Sequence, residues 1–185
     1  MCIRDSTWES LPRSTFDLVV MNPPYTRATG HEGNKVGVPV PMFAAFGNED
    51  DEQRVMSKAF SKLTEGTSVH GNAGEASAFL VLANDKLRDG GRLALVMPLS
   101  LLAGQAWEKS RALLRSSYAD LTIVTVAGGA SEEESSFSAD TGMAECLVVA
   151  TKAKGGSKRA TFVVLENRPD HQLKAAELAL SLIHI

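Results

Sequence analysis

An α/β fold built on a doubly wound, mostly parallel sheet is predicted by three features of the 185-residue sequence. Short apolar runs recur at 16–21, 92–97 and 121–126 with little polar alternation, the pattern of strands covered on both faces. The first two runs stop abruptly near proline, at Pro23 and Pro98. The intervals between the runs hold segments of helical periodicity, and a strand, helix, strand order favours parallel strands joined by helical crossovers.

Phe16, Leu18, Val19, Val20 and Met21 make the first strand. From Thr26 to Gly47 the chain is rich in Gly and Pro and lacks periodicity, which is long for a connection and predicts a functional or mobile loop. A helix is expected over 49–64, using Val55, Met56, Ala59, Phe60 and Leu63. After a second polar stretch, Asn72 and Glu75 have the spacing of a capping box, and Phe79, Leu82, Ala83 and Leu87 mark the inner face of the next helix. Asp89-Gly90-Gly91 reads as the turn that ends it. The strand at 92–97 follows, and then Ser100 is placed to cap a helix over 101–116. Arg111 and Arg115 fall in its last turns, where they complement the helix dipole. Beyond the strand at 121–126 come two more candidates, CLVVAT at 146–151 and TFVVL at 161–165.

The two ends are set aside. Written as the codons ATG-TGT-ATA-AGA-GAC-AG, residues 1–6 have a reverse complement that translates as LSLIHI, residues 180–185. Each terminus can encode the other, and both resemble a transposon end used in preparing sequencing libraries. The natural segment is then about Thr7 to Ala179 and is expected to be internal to a longer protein. Cys2 goes with the scar, so Cys146, in an apolar run, is the only natural cysteine. A disulfide framework is excluded and a reducing cytoplasm is expected.

Such a segment suits one domain or most of one, and a 44% hydrophobic composition is enough for a core. No apolar run is long enough to span a bilayer. A net charge of −3 makes no global case for nucleic acid. The acidic runs at 49–52 and 132–134, and the basic run of Lys152, Lys154, Lys158 and Arg159, read as solvated surface.

The chemistry concentrates in Asn22-Pro23-Pro24-Tyr25. In open α/β sheets ligands sit beyond the carboxyl ends of strands, which is where this tetrapeptide falls. An exocyclic amine on a base is a poor nucleophile, because its lone pair is delocalised into the ring. Hydrogen-bond acceptors on both amine protons draw the nitrogen toward a tetrahedral form as it attacks. The Asn22 side-chain oxygen can accept from one proton and the Pro23 carbonyl from the other, with the prolines fixing their relative geometry. Tyr25 offers an aromatic face for stacking. The competing reading is a strand ended by an ordinary polar turn.

FDLVVMNPPY at 16–25 resembles the catalytic motif of the S-adenosylmethionine-dependent DNA adenine-N6 methyltransferases of restriction-modification and related defence systems. The resemblance runs on through AFLVLANDKLRDGGRLALVMPLSLL at 78–102, RALLR at 111–115 and FSADTGMAECLVVATK at 137–152. It implies a partial Rossmann-like class I methyltransferase fold over 7–168, with 169–179 beginning a following helix or linker. In that family Asn22 and the Pro23 carbonyl orient the target amine, Pro24 stiffens the turn, and Tyr25 stacks on an adenine flipped out of double-stranded DNA. Asp17 matches a position tied to the cofactor, and Phe137 one where an aromatic packs on the base. The implied cofactor is S-adenosyl-L-methionine, and the implied partners are double-stranded DNA and a specificity or restriction subunit or domain. The family's glycine-rich cofactor loop and ribose-binding acidic residue would lie upstream of residue 7, so the cofactor-binding half is expected to be missing. Gly90-Gly91 and Gly128-Gly129 do not replace it.

His31 and His70 lack metal-ligand neighbours and read as loop residues, while His171 begins or precedes a terminal helix. Ser77, Ser100 and Ser110 lack a nucleophile elbow. Trp107 is at helical spacing from Ala103 and reads as core. Arg27, His31 and Lys35 follow the motif and could meet DNA phosphate. Three alternatives remain: a protein glutamine-N5 methyltransferase, a cytosine-N4 enzyme, and a non-catalytic nucleic-acid-binding subunit. The roughly 50 residues between Tyr25 and the helix near 75 weigh against the first. Asn22, where serine is commoner, weighs against the second.

Overall fold

The computed structural model describes residues 12–25, 50–65, 73–127, 137–138 and 143–183. The elements are β1 (Phe16–Met21), α1 (Asp50–Thr64), α2 (Glu75–Lys86), β2 (Leu87–Pro98), α3 (Glu108–Ser117), β3 (Tyr118–Val126), β4 (Glu145–Lys152), β5 (Ala160–Leu165) and α4 (Gln172–Ile183). They build a mixed α/β unit on a five-stranded sheet of order β1-β2-β4-β3-β5. β1 runs parallel to β2 and β3 parallel to β5, while β4 is antiparallel to both of its neighbours. Four of the five strands therefore point the same way, as the apolar runs predict.

Register fixes which side chains share a face. Met21 lies opposite Leu95, Leu95 opposite Val148, and Val148 opposite Ile123. Leu93, Met97, Cys146 and Ala150 point to the same side, and there they meet Ala76, Leu80 and Ala83 of α2 and Leu114 of α3 in one core. Ala94, Val96, Leu147 and Val149, of opposite parity, are only half-buried. β1 departs from the expectation of a strand covered on both faces. It forms an edge of the sheet, and Leu18 and Val20 are 57% and 66% exposed. An unbroken apolar run records which side chains suit burial, but not what covers them.

Three boundaries also differ from the sequence reading. Asn72 lies outside the described residues, and the N-cap of α2 is Gly74, at φ 77°, whose carbonyl accepts from the Ser77 hydroxyl at 2.7 Å. The buried side of α2 is Ala76, Leu80 and Ala83 rather than Phe79 and Leu82, because a helix buried nearly all round has no polar stripe to betray its inner face. Asp89-Gly90-Gly91 does not end the helix; α2 stops at Lys86 and the three residues lie inside β2. Phe16 pairs with Leu87 and Leu18 with Arg92, so four β2 residues bulge opposite Asp17. Gly91 permits this close approach, since a Cβ there would sit 2.9 Å from the Phe16 carbonyl oxygen.

Helix α3 begins at Glu108, not at 101, and Ser100 makes no capping bond. Two short 3-10 turns, Leu99–Leu101 and Gln105–Trp107, come first. Gly104 is extended between them (ψ 135°). Arg111 accounts for the delay. Its Nη1 donates to the carbonyls of Leu101 and Gly104, both at 2.8 Å, and so occupies acceptors that a continuous helix would have used. At the end of the chain His171 caps α4, its Nδ1 accepting from Lys174 N–H at 3.1 Å.

Candidate active site

β1 ends at Met21, and Asn22-Pro23-Pro24-Tyr25 leaves the sheet at the carboxyl end of the strand. Prolines cannot continue a ladder of hydrogen bonds, which is why the strand stops there. Pro23 is buried, Pro24 and Tyr25 are half-buried, and Asn22 is exposed.

A second segment, distant in sequence, meets this turn. Asn22 Nδ2 donates to Ser138 Oγ at 2.9 Å across 116 positions of chain. The backbone N–H groups of Phe137 and Ser138 both donate to one carboxylate oxygen, Glu145 Oε2, each at 2.8 Å. Glu145 opens β4 opposite Pro98, at the mouth of β2, and is 1% exposed. The Tyr25 hydroxyl closes the network, lying 3.3 Å from Asn22 Oδ1. Burial raises the Tyr25 phenol well above its ordinary value, and the charge of Glu145 and a hydrogen bond to it raise it further, while a hydrogen bond with Ser138 acts the other way. The neighbouring Cys146 thiol is pushed up to about 12, first by burial and then by Glu145. It donates to the Pro98 carbonyl at 3.9 Å.

A cavity of about 200 Å³ opens beside the turn, lined by Tyr25, Ala73, Pro98, Gly104, Trp107 and Met143. It is smaller than the roughly 300–1,000 Å³ of pockets for drug-sized ligands, and so suits one ring system. Trp107, expected as core, is 5% exposed within the core and also walls this cavity. The turn that carries it is the one Arg111 holds.

The sequence-predicted residues thus divide. Asn22, Pro23, Pro24, Tyr25 and the half-buried Phe137 gather at one end of the sheet. Asp17 does not join them. It stands five residues up β1, about 16 Å away at some 3.3 Å per residue. Its side chain is 78% exposed and its carboxylate accepts from Arg88 Nε at 2.6 Å. Arg27, His31, Lys35, His70 and Gly128-Gly129 lie outside the described residues. Ser138, Glu145 and the Gly104–Trp107 turn were not singled out from sequence. A lone acidic residue opening the apolar run 146–151 was the one available signal.

Among the described residues no glycine-rich loop joins a strand to a helix, and Gly90-Gly91 is consumed in the β2 bulge. They therefore offer no cradle that fits S-adenosylmethionine. Among the described residues no group of three or more His, Cys, Asp and Glu side chains could hold a metal ion, and no helix is long and apolar enough to cross a membrane.

No family model and no curated protein matches the chain. Solved structures do. A DrdV–DNA complex superposes with a TM-score of 0.54 at 14% identity, over 81% of this chain and 15% of that one. The ATP-dependent Type ISP restriction-modification enzyme LlaBIII bound to DNA gives 0.52 at 16%, over 87% of this chain and 11% of that one. A nuclease-deletion mutant of the Type ISP restriction-modification enzyme LlaGI, in complex with a DNA substrate mimic, gives 0.52 at 14%, over 81% and 14%. The chain thus has the fold of a part of these enzymes and spans less than a sixth of their length.

Proposed function

We propose that this chain supplies the amine-holding side of a DNA methyltransferase active site, in an enzyme of a restriction-modification or phage-defence system. Its substrate in this reading is N6 of an adenine flipped out of double-stranded DNA, and its methyl donor is S-adenosyl-L-methionine, which brings an electrophilic methyl group on a sulfonium centre. The observation that carries the reading is the union of Asn22-Pro23-Pro24-Tyr25 with Ser138 and Glu145 at the mouth of the sheet, beside a cavity of single-ring-system size.

The chain's own part is positioning. The Asn22 side-chain oxygen and the Pro23 carbonyl accept the two amine protons, so that the nitrogen lone pair is released from the ring and aimed away from both. The cyclic side chains of Pro23 and Pro24 fix the separation of those two acceptors. Tyr25 stacks on the base, and Phe137, carried on the turn bound to Glu145, packs against the same base. Trp107, Pro98 and Met143 wall the cavity beside the turn and offer apolar surface to the base. A specificity or restriction subunit or domain would choose the DNA sequence. The cofactor site is assigned to chain outside the described residues.

The test is transfer of labelled methyl from S-adenosylmethionine, by the protein that carries this segment, to duplexes with and without adenine at varied positions. N6-methyladenine in the digested product is expected. Label found in protein glutamine or in cytosine instead would overturn the assignment.

A further inference from the structure

We propose that Glu145 is the positioning residue of this site: its carboxylate ties the Phe137–Ser138 turn to the sheet and accepts the Tyr25 hydroxyl proton in a hydrogen bond, leaving the Asn22 carboxamide oxygen open to an incoming amine. The inference rests on the methyl-transfer reading and deepens it.

A carboxamide can sit either way round, and an amine-holding asparagine is useful only with its oxygen facing the substrate. Here Asn22 Nδ2 donates to Ser138 Oγ at 2.9 Å, which leaves the carboxamide oxygen on the side away from Ser138. Ser138 is itself held in place because its backbone N–H, with that of Phe137, ends on Glu145 Oε2. Glu145 is anchored by β4, whose first pair is with Pro98. The orientation of Asn22 is thus referred, through one turn, to a carboxylate in the middle strand of the sheet.

The second role concerns a competition for one proton. Asn22 Oδ1 is 3.3 Å from the Tyr25 hydroxyl, long for an O–H···O bond, whose usual length is about 2.7–2.8 Å. Glu145, whose Oε2 holds the turn that carries Ser138, is the stronger acceptor of the two, and its charge and a hydrogen bond to it are among the causes that raise the Tyr25 phenol. While the phenol donates to Glu145, Asn22 Oδ1 keeps its lone pairs for the substrate. Without a carboxylate there, the phenol turns its proton on Asn22 and blocks the acceptor that the amine needs.

Two variants separate the roles. In Glu145→Gln the carboxamide oxygen can still take both backbone N–H groups, but its NH₂ cannot accept from Tyr25. In Glu145→Met both functions go. Amide exchange in this chain is expected to speed up about tenfold or more at Phe137 and Ser138 in Glu145→Met and to change little in Glu145→Gln. Amides of the β2–β4 ladder serve as the control for an intact fold. In the protein that carries this segment, Glu145→Gln is expected to lower kcat for methyl transfer about tenfold with KM for DNA unchanged. Adding Tyr25→Phe to Glu145→Gln should restore most of that loss, because no hydroxyl remains to occupy Asn22. A merely structural glutamate would show no such rescue.

Unchanged exchange at Phe137 and Ser138 in a folded Glu145→Met protein would overturn the first role. A Glu145→Gln enzyme with wild-type kcat, or a double variant no faster than the single one, would overturn the second and leave the methyl-transfer reading standing. A wild-type protein that methylates no adenine would instead sink that reading and the second role together, while the exchange result still decides whether Glu145 holds the turn.

Discussion

The two ends of β1 are built from similar materials and come to opposite uses. At the amino end an acidic side chain, Asp17, meets an arginine in water; its side chain is 78% exposed, and Arg88 is half exposed. At the carboxyl end an amide, a phenol, a hydroxyl and the 1% exposed Glu145 share one network beside a cavity. Exposed ion pairs are worth about 0–1 kcal/mol, whereas the Glu145 carboxylate, removed from water, acts on the groups around it at a lower effective dielectric. On the proposed reading, chemistry belongs to one end and architecture to the other, and substitutions at each end should differ in kind.

The largest effect is expected from Asn22→Ala. Removing one preorganised donor of an oxyanion hole costs about a hundredfold to a thousandfold in kcat, and a loss of that order is expected for the acceptor that orients the amine here. Cofactor affinity should hardly change, which equilibrium binding can check. Wild-type turnover in Asn22→Ala would break the comparison, since the carboxyl end would then be as idle as the amino end. Tyr25 comes next. Its replacement by Ala should cost roughly 1–3 kcal/mol of base stacking, seen as weaker binding of duplexes with an extrahelical adenine. Tyr25→Phe alone should be mild, because the ring remains.

At the bulge joining β1 to β2, Gly91→Ala sharpens the contrast from the other side. The added Cβ would lie 2.9 Å from both the Phe16 and the Arg88 carbonyl oxygens, so backbone must shift. A loss of about 1–3 kcal/mol in urea unfolding is expected, with kcat of the surviving folded protein unchanged. The buried titratable groups give a pH signature of their own. Cys146, Tyr25 and Tyr118 are all raised, mainly by burial, from ordinary values of 9.0, 10.0 and 10.0. Groups raised in the folded state contribute stability that is fully present below their unfolded values and is lost as pH rises through the folded ones. Unfolding midpoints should therefore be flat up to about pH 9 and fall above it, and Cys146→Ala should delay the onset toward pH 10.

How much of this could be read from the residues follows from what each signal reports. Strands at 92–97, 121–126, 146–151 and 161–165 were legible because a short run rich in apolar and β-branched residues favours extended backbone, whatever then covers it. The true start of β2 was not, because the tripeptide Asp89-Gly90-Gly91 reads the same whether it turns a helix into a strand or bulges a ladder. The late start of α3 depends on Arg111 reaching back to two carbonyls, a contact no periodicity encodes. Asn22 to Tyr25 stands out in the sequence because its polar and aromatic groups are contiguous. Ser138 and Glu145 do not, since they reach the motif only after β4 has inserted antiparallel beside β2.

The smallest expected effect is the most discriminating. Asp17→Asn removes a charge from the strand that leads into Asn22-Pro23-Pro24-Tyr25, at a position that the family resemblance ties to the cofactor. From its place in the fold, with a 2.6 Å contact to Arg88 but both partners in solvent, the loss should be under about 1 kcal/mol of stability and should shrink further in high salt. An effect on S-adenosylmethionine affinity that survives high salt, with stability unchanged, would mean that the amino end of β1 also serves the reaction. The division of the strand into a chemical end and an architectural end would then have to be redrawn around a cofactor reaching along its whole length.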